Sequence, residues 1–204
     1  LMSKIKKLVR EDNFLSLTGN VVVAILGIGS FALLARTLSI DMFGEWVLFI
    51  AGGSFIEMFR FGVTNTGLIR YLSGADDASR VKLIGSNALI GLGTTVVIAV
   101  ILILCNTLFN DAIQHSGYNL FFTWYPLLAF LNLPWNNALV VLQANRKYDQ
   151  ILVIKAINSG LIFLVILVNY YFLTMTLTEL VIAIFIINGF TSLVSVIAGW
   201  DGIK

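Results

Sequence analysis

The chain has 204 residues, 58% of them hydrophobic and only 12% charged, with a formal net charge of +2 and a mean hydropathy of +0.93. A soluble domain carries roughly 25% charged residues, so this chain cannot cover a water-facing surface, which excludes a cytosolic enzyme, a disordered protein and a nucleic-acid binder. The single cysteine, Cys105, lies in an apolar run, leaving no disulfide framework, CxxC pair or cysteine metal cluster to explain.

A transmembrane helix needs about 20 apolar residues. Windows nearly free of charge place six such spans, at approximately 13–35, 44–71, 83–110, 118–145, 152–174 and 178–200. The expected fold is therefore an all-α integral membrane protein whose residues 1–204 form one six-helix domain. A β-barrel is excluded because the apolar runs are continuous rather than alternating. The first run is too long, and too closely followed by a second, for a cleaved signal peptide. The longest loop, around Asn110 to Tyr118, cannot hold a soluble domain, so the helices themselves must carry the function.

In span one, Ser16, Asn20, Val23, Gly27 and Ser30 follow one another at helical spacing. Such a stripe serves helix packing or lines a cavity. Span two contains Glu57 and Arg60 near its midpoint, where an ionisable group costs about 2.5 to 3.5 kcal/mol. Gly53, Glu57, Arg60, Thr64 and Gly67 share one small and polar stripe, while Gly52, Gly53 and Gly62 loosen the helix beside it. Two readings follow. In one, a water-filled cavity lets Arg60 meet an anion while Glu57 tunes it or binds a cation; in the other, an i,i+3 ion pair neutralises itself inside the bundle.

Span three has a ridge of small residues, Asn87, Gly91, Thr95 and Ala99, suited to close packing. Span four contains Pro126 and Pro134 among Asn132, Asn136, Asn137 and Gln143. Each proline removes an intrahelical hydrogen bond, giving a kinked, amide-rich helix compatible with a moving or a static element. Tyr118, Trp124 and Tyr125 mark its outer edge, as Tyr170 and Tyr171 mark that of span five. Asn158 and Asn188 read as interhelical glue, and His115 has no ligand pattern around it. No Ser/His/Asp set, HExxH, Walker motif or paired-carboxylate site is encoded, so the chain is not expected to be an enzyme or to hold a metal or cofactor.

Of the 13 Lys and Arg, all but Arg36 and the mid-span Arg60 fall on one side of these six spans: Lys4, Lys6, Lys7, Arg10, Arg70, Arg80, Lys82, Arg146, Lys147, Lys155 and Lys204. The positive-inside rule makes that side, and both termini, cytoplasmic.

The segments ALLARTLSIDMFGEWVLF, Ala32 to Phe49, and FRFGVTNTGLIRYLSG, Phe59 to Gly74, together with VLQANRKYD, Val141 to Asp149, resemble O-antigen and polysaccharide flippases of the multidrug/oligosaccharidyl-lipid/polysaccharide exporter superfamily. The first hairpin of that family often reads ALAR.LG....G.W, and a Gln-Ala pair leads into its basic inner loop. Ser39 and Ile40 depart from the family's Gly-Pro. The resemblance implies the amino-terminal lobe only, a fragment whose carboxy-terminal lobe is missing or is replaced by a second copy in a homodimer. It implies alternating access that moves a polyprenyl-pyrophosphate-linked glycan across a bacterial inner membrane, among membrane lipids. Arg60 is then the pyrophosphate ligand, with Glu57, Asn20 and Thr64 lining the cavity and Pro126, Pro134, Gly53 and Gly62 as conformational positions. The drug-exporter branch implies instead a cation-coupled antiporter with Glu57 as coupling site and Arg60 its counter-ion. A structural six-helix membrane subunit is the remaining alternative.

The charge asymmetry makes a direct prediction. His115→Cys in a Cys105→Ser background is expected to react with a membrane-impermeant thiol reagent in intact cells, and Arg146→Cys is expected to be protected; the reverse pattern inverts the topology.

Overall fold

The computed structural model describes residues 12–72 and 74–202, with the side chains of residues 12, 13, 63, 64 and 77 outside the description. Its elements are α1 (Asp12–Thr37), α2 (Ile40–Leu72), α3 (Asp77–Leu108), α4 (Asn110–His115), α5 (Asn119–Ala144), α6 (Tyr148–Phe172) and α7 (Leu177–Ile197). Six of them, all but the short α4, are long and apolar enough to cross a membrane, and there is no strand among the described residues. The expected outer loop thus contains a helix of its own, α4. Helices α2 and α3 begin at Ile40 and Asp77, ahead of the charge-free windows. Backbone bonding continues beyond the apolar stretch, and an acid in the first turn, Asp41 in α2, suits the positive end of the helix dipole.

Helix α5 occupies the centre and packs against α2, α3, α6 and α7, whereas α1 lies along α6 and barely touches α2. Small residues permit the close approaches. A methyl group on Gly52 would stand 2.9 Å from the Phe121 ring, and one on Gly29 would stand 2.9 Å from Phe163. The ridge Asn87, Thr95 and Ala99 is buried together with Gly91, so it packs inward along its length. The apolar core between α5 and its neighbours includes Trp46, Phe49, Phe121, Tyr125, Ile166 and Leu180. Large side chains such as Ile28, Met58, Leu89 and Ile186 point outward, as a bundle solvated by lipid requires.

The turns are fixed by specific hydrogen bonds. At the start of α7, Thr176 and Glu179 form a reciprocal capping box, the Thr176 hydroxyl accepting from the Glu179 N–H and the Glu179 carboxylate from the Thr176 N–H. Asn169 Oδ1 accepts from the Met175 N–H at 2.8 Å and closes the α6–α7 turn. Helix α5 ends with Arg146 in the left-handed region, φ 55°, and the Lys147 N–H returns to the carbonyl of Leu142. Gly199, φ 66°, ends α7 in the same manner, with the Trp200 N–H bonded to the carbonyl of Ser195.

Lys4, Lys6, Lys7, Arg10 and Lys204 lie outside the described residues. Arg70 sits on the last turn of α2, Arg80 and Lys82 within the first two turns of α3, Arg146 and Lys147 in the α5–α6 turn, and Lys155 two turns into α6. Arg80 donates to Asn145 across this end of the bundle, so these six basic residues gather at one pole, away from Arg36 and Arg60.

Candidate functional site

A guanidinium in mid-helix must place its positive charge somewhere, and the fold gives Arg60 three partners on three helices. Nη1 donates to Glu57 Oε1 of the same helix at 2.7 Å. Nη2 donates to Thr95 Oγ1 of α3 at 2.6 Å and to the carbonyl of Ala129 in α5 at 2.9 Å. The Thr95 hydroxyl in turn donates to the carbonyl of Gly91 at 2.5 Å. Arg60 Cζ also stands 4.7 Å from the centroid of the Phe61 ring, within cation–π range.

The carboxylate is held from α5. Tyr125 Oη donates to Glu57 Oε1 at 3.0 Å and lies 3.2 Å from the carbonyl of Gly53, while Asn136 Nδ2 donates to Oε2 at 3.3 Å. The absence of a side chain on Gly53 admits the tyrosine, since a methyl group there would meet its ring at 3.0 Å. Both ends of the pair are therefore hydrogen-bonded as well as paired, the condition under which a buried ion pair is tolerated. The Arg60 side chain has no exposed surface, whereas that of Glu57 is 23% exposed. In this conformation a solute beside α2 can touch the acid and cannot touch the base.

Helix α5 runs unbroken through Pro126 and Pro134. Pro126 and Pro134 supply no N–H to the carbonyls of Phe122 and Phe130 one turn back, and side chains of neighbouring helices bond the carbonyls on either side of Phe130. Arg60 bonds Ala129 and the Ser192 hydroxyl of α7 bonds the carbonyl of Leu131. Helices α2 and α7 thus both attach to α5 in the turn before Pro134.

Of the residues expected to share a site, Gly53, Glu57 and Arg60 come together. Asn20 does not join them. It is exposed on α1 and accepts from Lys155 Nζ of α6 at 3.3 Å, because α1 packs on α6 rather than on α2. The side chain of Thr64 lies outside the described residues. Gly62 is exposed with open space around it, and α2 continues through it as through Gly52 and Gly53. Tyr125 corrects the expectation of an outer interfacial anchor, being 1% exposed and bonded to Glu57. Tyr125, Ala129, Asn132 and Asn136 recur at helical spacing, the sequence signal that places these groups on one face of α5.

The remaining buried amides pair with one another. Asn158 of α6 donates to Asn188 at 2.9 Å and to Thr191 at 3.0 Å, both in α7. Asn87 of α3 donates to Asn137 of α5 at 3.1 Å. His115 Nδ1 contacts the carbonyl of Asp111 one turn back. Among the described residues no group of three or more His, Cys, Asp and Glu could hold a metal. No family model, no curated protein and no solved structure matches the chain.

The network predicts a specific stability pattern. Arg60→Leu, which strands Glu57, is expected to cost about 3 to 5 kcal/mol, read by denaturant titration in detergent micelles. Glu57→Gln/Arg60→Gln is expected to recover at least half of that loss; a double variant as unstable as Arg60→Leu contradicts the pairing.

Proposed function

We propose that the chain is one lobe of a membrane transporter, the amino-terminal lobe of a flippase that moves a polyprenyl-pyrophosphate-linked oligosaccharide, such as an O-antigen or capsular repeat unit, across the bacterial inner membrane. Its partners are the lipid-linked glycan, membrane lipids, and a carboxy-terminal lobe or a second copy of the chain; both termini face the cytoplasm. The reading rests on the hairpin and inner-loop motifs quoted above and on one structural observation. An ion pair is retained at mid-helix, in a bundle that also links helices through neutral amides and hydroxyls, as Asn158 does with Asn188 and Thr191 and Asn87 with Asn137. Packing alone is served by those neutral links, so the retained charges favour a transport role.

On this reading alternating access supplies what the static geometry lacks. The Arg60 guanidinium has five N–H groups, and a separation of α2 from α3 and α5 would release those held by Thr95 and Ala129 for a pyrophosphate oxygen. The exchange costs little in hydrogen bonds, because charge-assisted bonds to phosphate replace bonds to a hydroxyl and a carbonyl. The prolines of α5 lie on both sides of Ala129, a position from which bending would open the contact. No covalent step is required.

A second reading has its own support in the exposure difference between the two charges. Because Glu57 is the accessible member, the lobe suits a cation-coupled antiporter in which that carboxylate takes the coupling ion and Arg60 stays buried as its counter-ion.

Transport of labelled lipid-linked glycan by the two-lobe assembly in proteoliposomes separates these readings. Under the flippase reading, Arg60→Lys keeps partial transport and Glu57→Gln/Arg60→Gln inserts normally but loses it. Under the antiporter reading, Glu57→Gln alone abolishes ion-dependent transport. Undiminished activity of the double variant assigns the pair to structure and rejects both roles.

A further inference from the structure

At the basic pole a cavity of about 370 Å³ opens between the start of α3, the end of α5, the start of α6 and the turn after α7. Its polar wall consists of Arg80, Asn145, Lys147 and Gln150, with Trp200 beside them. The volume lies in the range of small-ligand sites, roughly 300 to 1,000 Å³.

The charge in this cavity is one-sided. Its lining contains Arg80 and Lys147 and no Asp or Glu. Asp201, next to the Trp200 wall in sequence, lines a separate cavity with Asn87 and Asn137. Arg80 is held in place by donating to the carbonyl of Leu72 at 3.0 Å and to Asn145 Oδ1. Two of its five N–H groups are thereby committed, and the guanidinium is fixed in orientation with donors to spare.

The backbone is shaped to form this wall. Arg146 adopts φ 55°, a left-handed conformation that disfavours a residue with a side chain, and the turn delivers Lys147 to the cavity. On the opposite side Gly202, φ 70°, lets the chain close against α3 and α5, since a methyl group there would stand 3.0 Å from Ile84 and 3.2 Å from Val141. The result is a preformed concavity with two cations, two amides and an indole over an apolar floor.

We infer that this cavity binds the phosphate group of a phosphate ester, with the Arg80 fork and the Lys147 ammonium on its oxygens. The chemistry is common to a phospholipid headgroup, for which a basic pocket between helix ends is a suitable receptor, and to a water-soluble phosphate ester. The site is remote from Glu57 and Arg60 and independent of the transport reading.

The 204-residue chain in a neutral maltoside detergent is to be titrated with phosphatidylglycerol, phosphatidylcholine and glycerol 3-phosphate, with retention followed by native mass spectrometry. Saturable binding of phosphatidylglycerol alone supports a lipid headgroup; binding of glycerol 3-phosphate that competes with it supports a soluble ester. Lys147→Gln is expected to weaken binding about fivefold, as is Arg80→Gln, each removing one cation near the phosphate. Lys82→Gln, which removes a charge outside the wall, and Arg146→Gly, which keeps the turn, are expected to change it less than about twofold. Lys147 makes no side-chain hydrogen bond among the described residues, so its variant decides the matter should Arg80→Gln fail to fold. Failure of all three probes to bind, or equal losses from Lys82→Gln and Lys147→Gln, would overturn the assignment.

Discussion

A guanidinium buried without exposed surface is the constraint from which the centre of this bundle follows. In a low-dielectric interior Arg60 demands an opposite charge and acceptors for its N–H groups, and no single helix supplies both. Glu57 comes from α2, the Thr95 hydroxyl from α3 and the Ala129 carbonyl from α5. These three helices are thereby fixed in register at one point. Tyr125 and Asn136 then hold the carboxylate from α5, so the same helix binds both charges.

The central position of α5 is connected to its unusual composition. Its two prolines and five amides would destabilise an exposed helix, but at the hub of the bundle neighbouring helices can donate to or accept from it. Arg60 and Ser192 bond carbonyls in the turn before Pro134, and Asn87 pairs with Asn137. Side chains from α2, α3 and α7 thus converge on α5 around Pro134. Helix α1 lacks such links to the centre and follows α6 instead, leaving Asn20 with Lys155.

Six spans were legible in the sequence because hydropathy over about 20 residues is a local property. The helices extend past those windows at Ile40 and Asp77, since a helix need not stop where charge begins. The Glu57–Arg60 pair was likewise visible from spacing and mid-span position, as was the inward ridge from Asn87 to Ala99. Spacing could not show which helix meets which. Asn20 and Arg60 both sit on polar stripes, yet their helices scarcely touch. Tyr125 was misplaced at the interface because aromatic residues near a span end favour that position; it went inward because Gly53 left room for its ring and Glu57 offered an acceptor. The phosphate cavity draws on four separated segments, and only the fold assembles them.

The central claim is that Arg60 ties α3 to α2 through Thr95, and a double-mutant cycle on folding stability in detergent measures it most directly. Arg60→Gln and Thr95→Val, the latter preserving shape without the hydroxyl, are to be compared singly and together in a Glu57→Gln background that removes the stranded charge. A coupling of about 1 kcal/mol or more is expected for a hydrogen bond to a charged group. Effects that add to within about 0.3 kcal/mol would contradict the tie and leave the register of these helices to apolar packing.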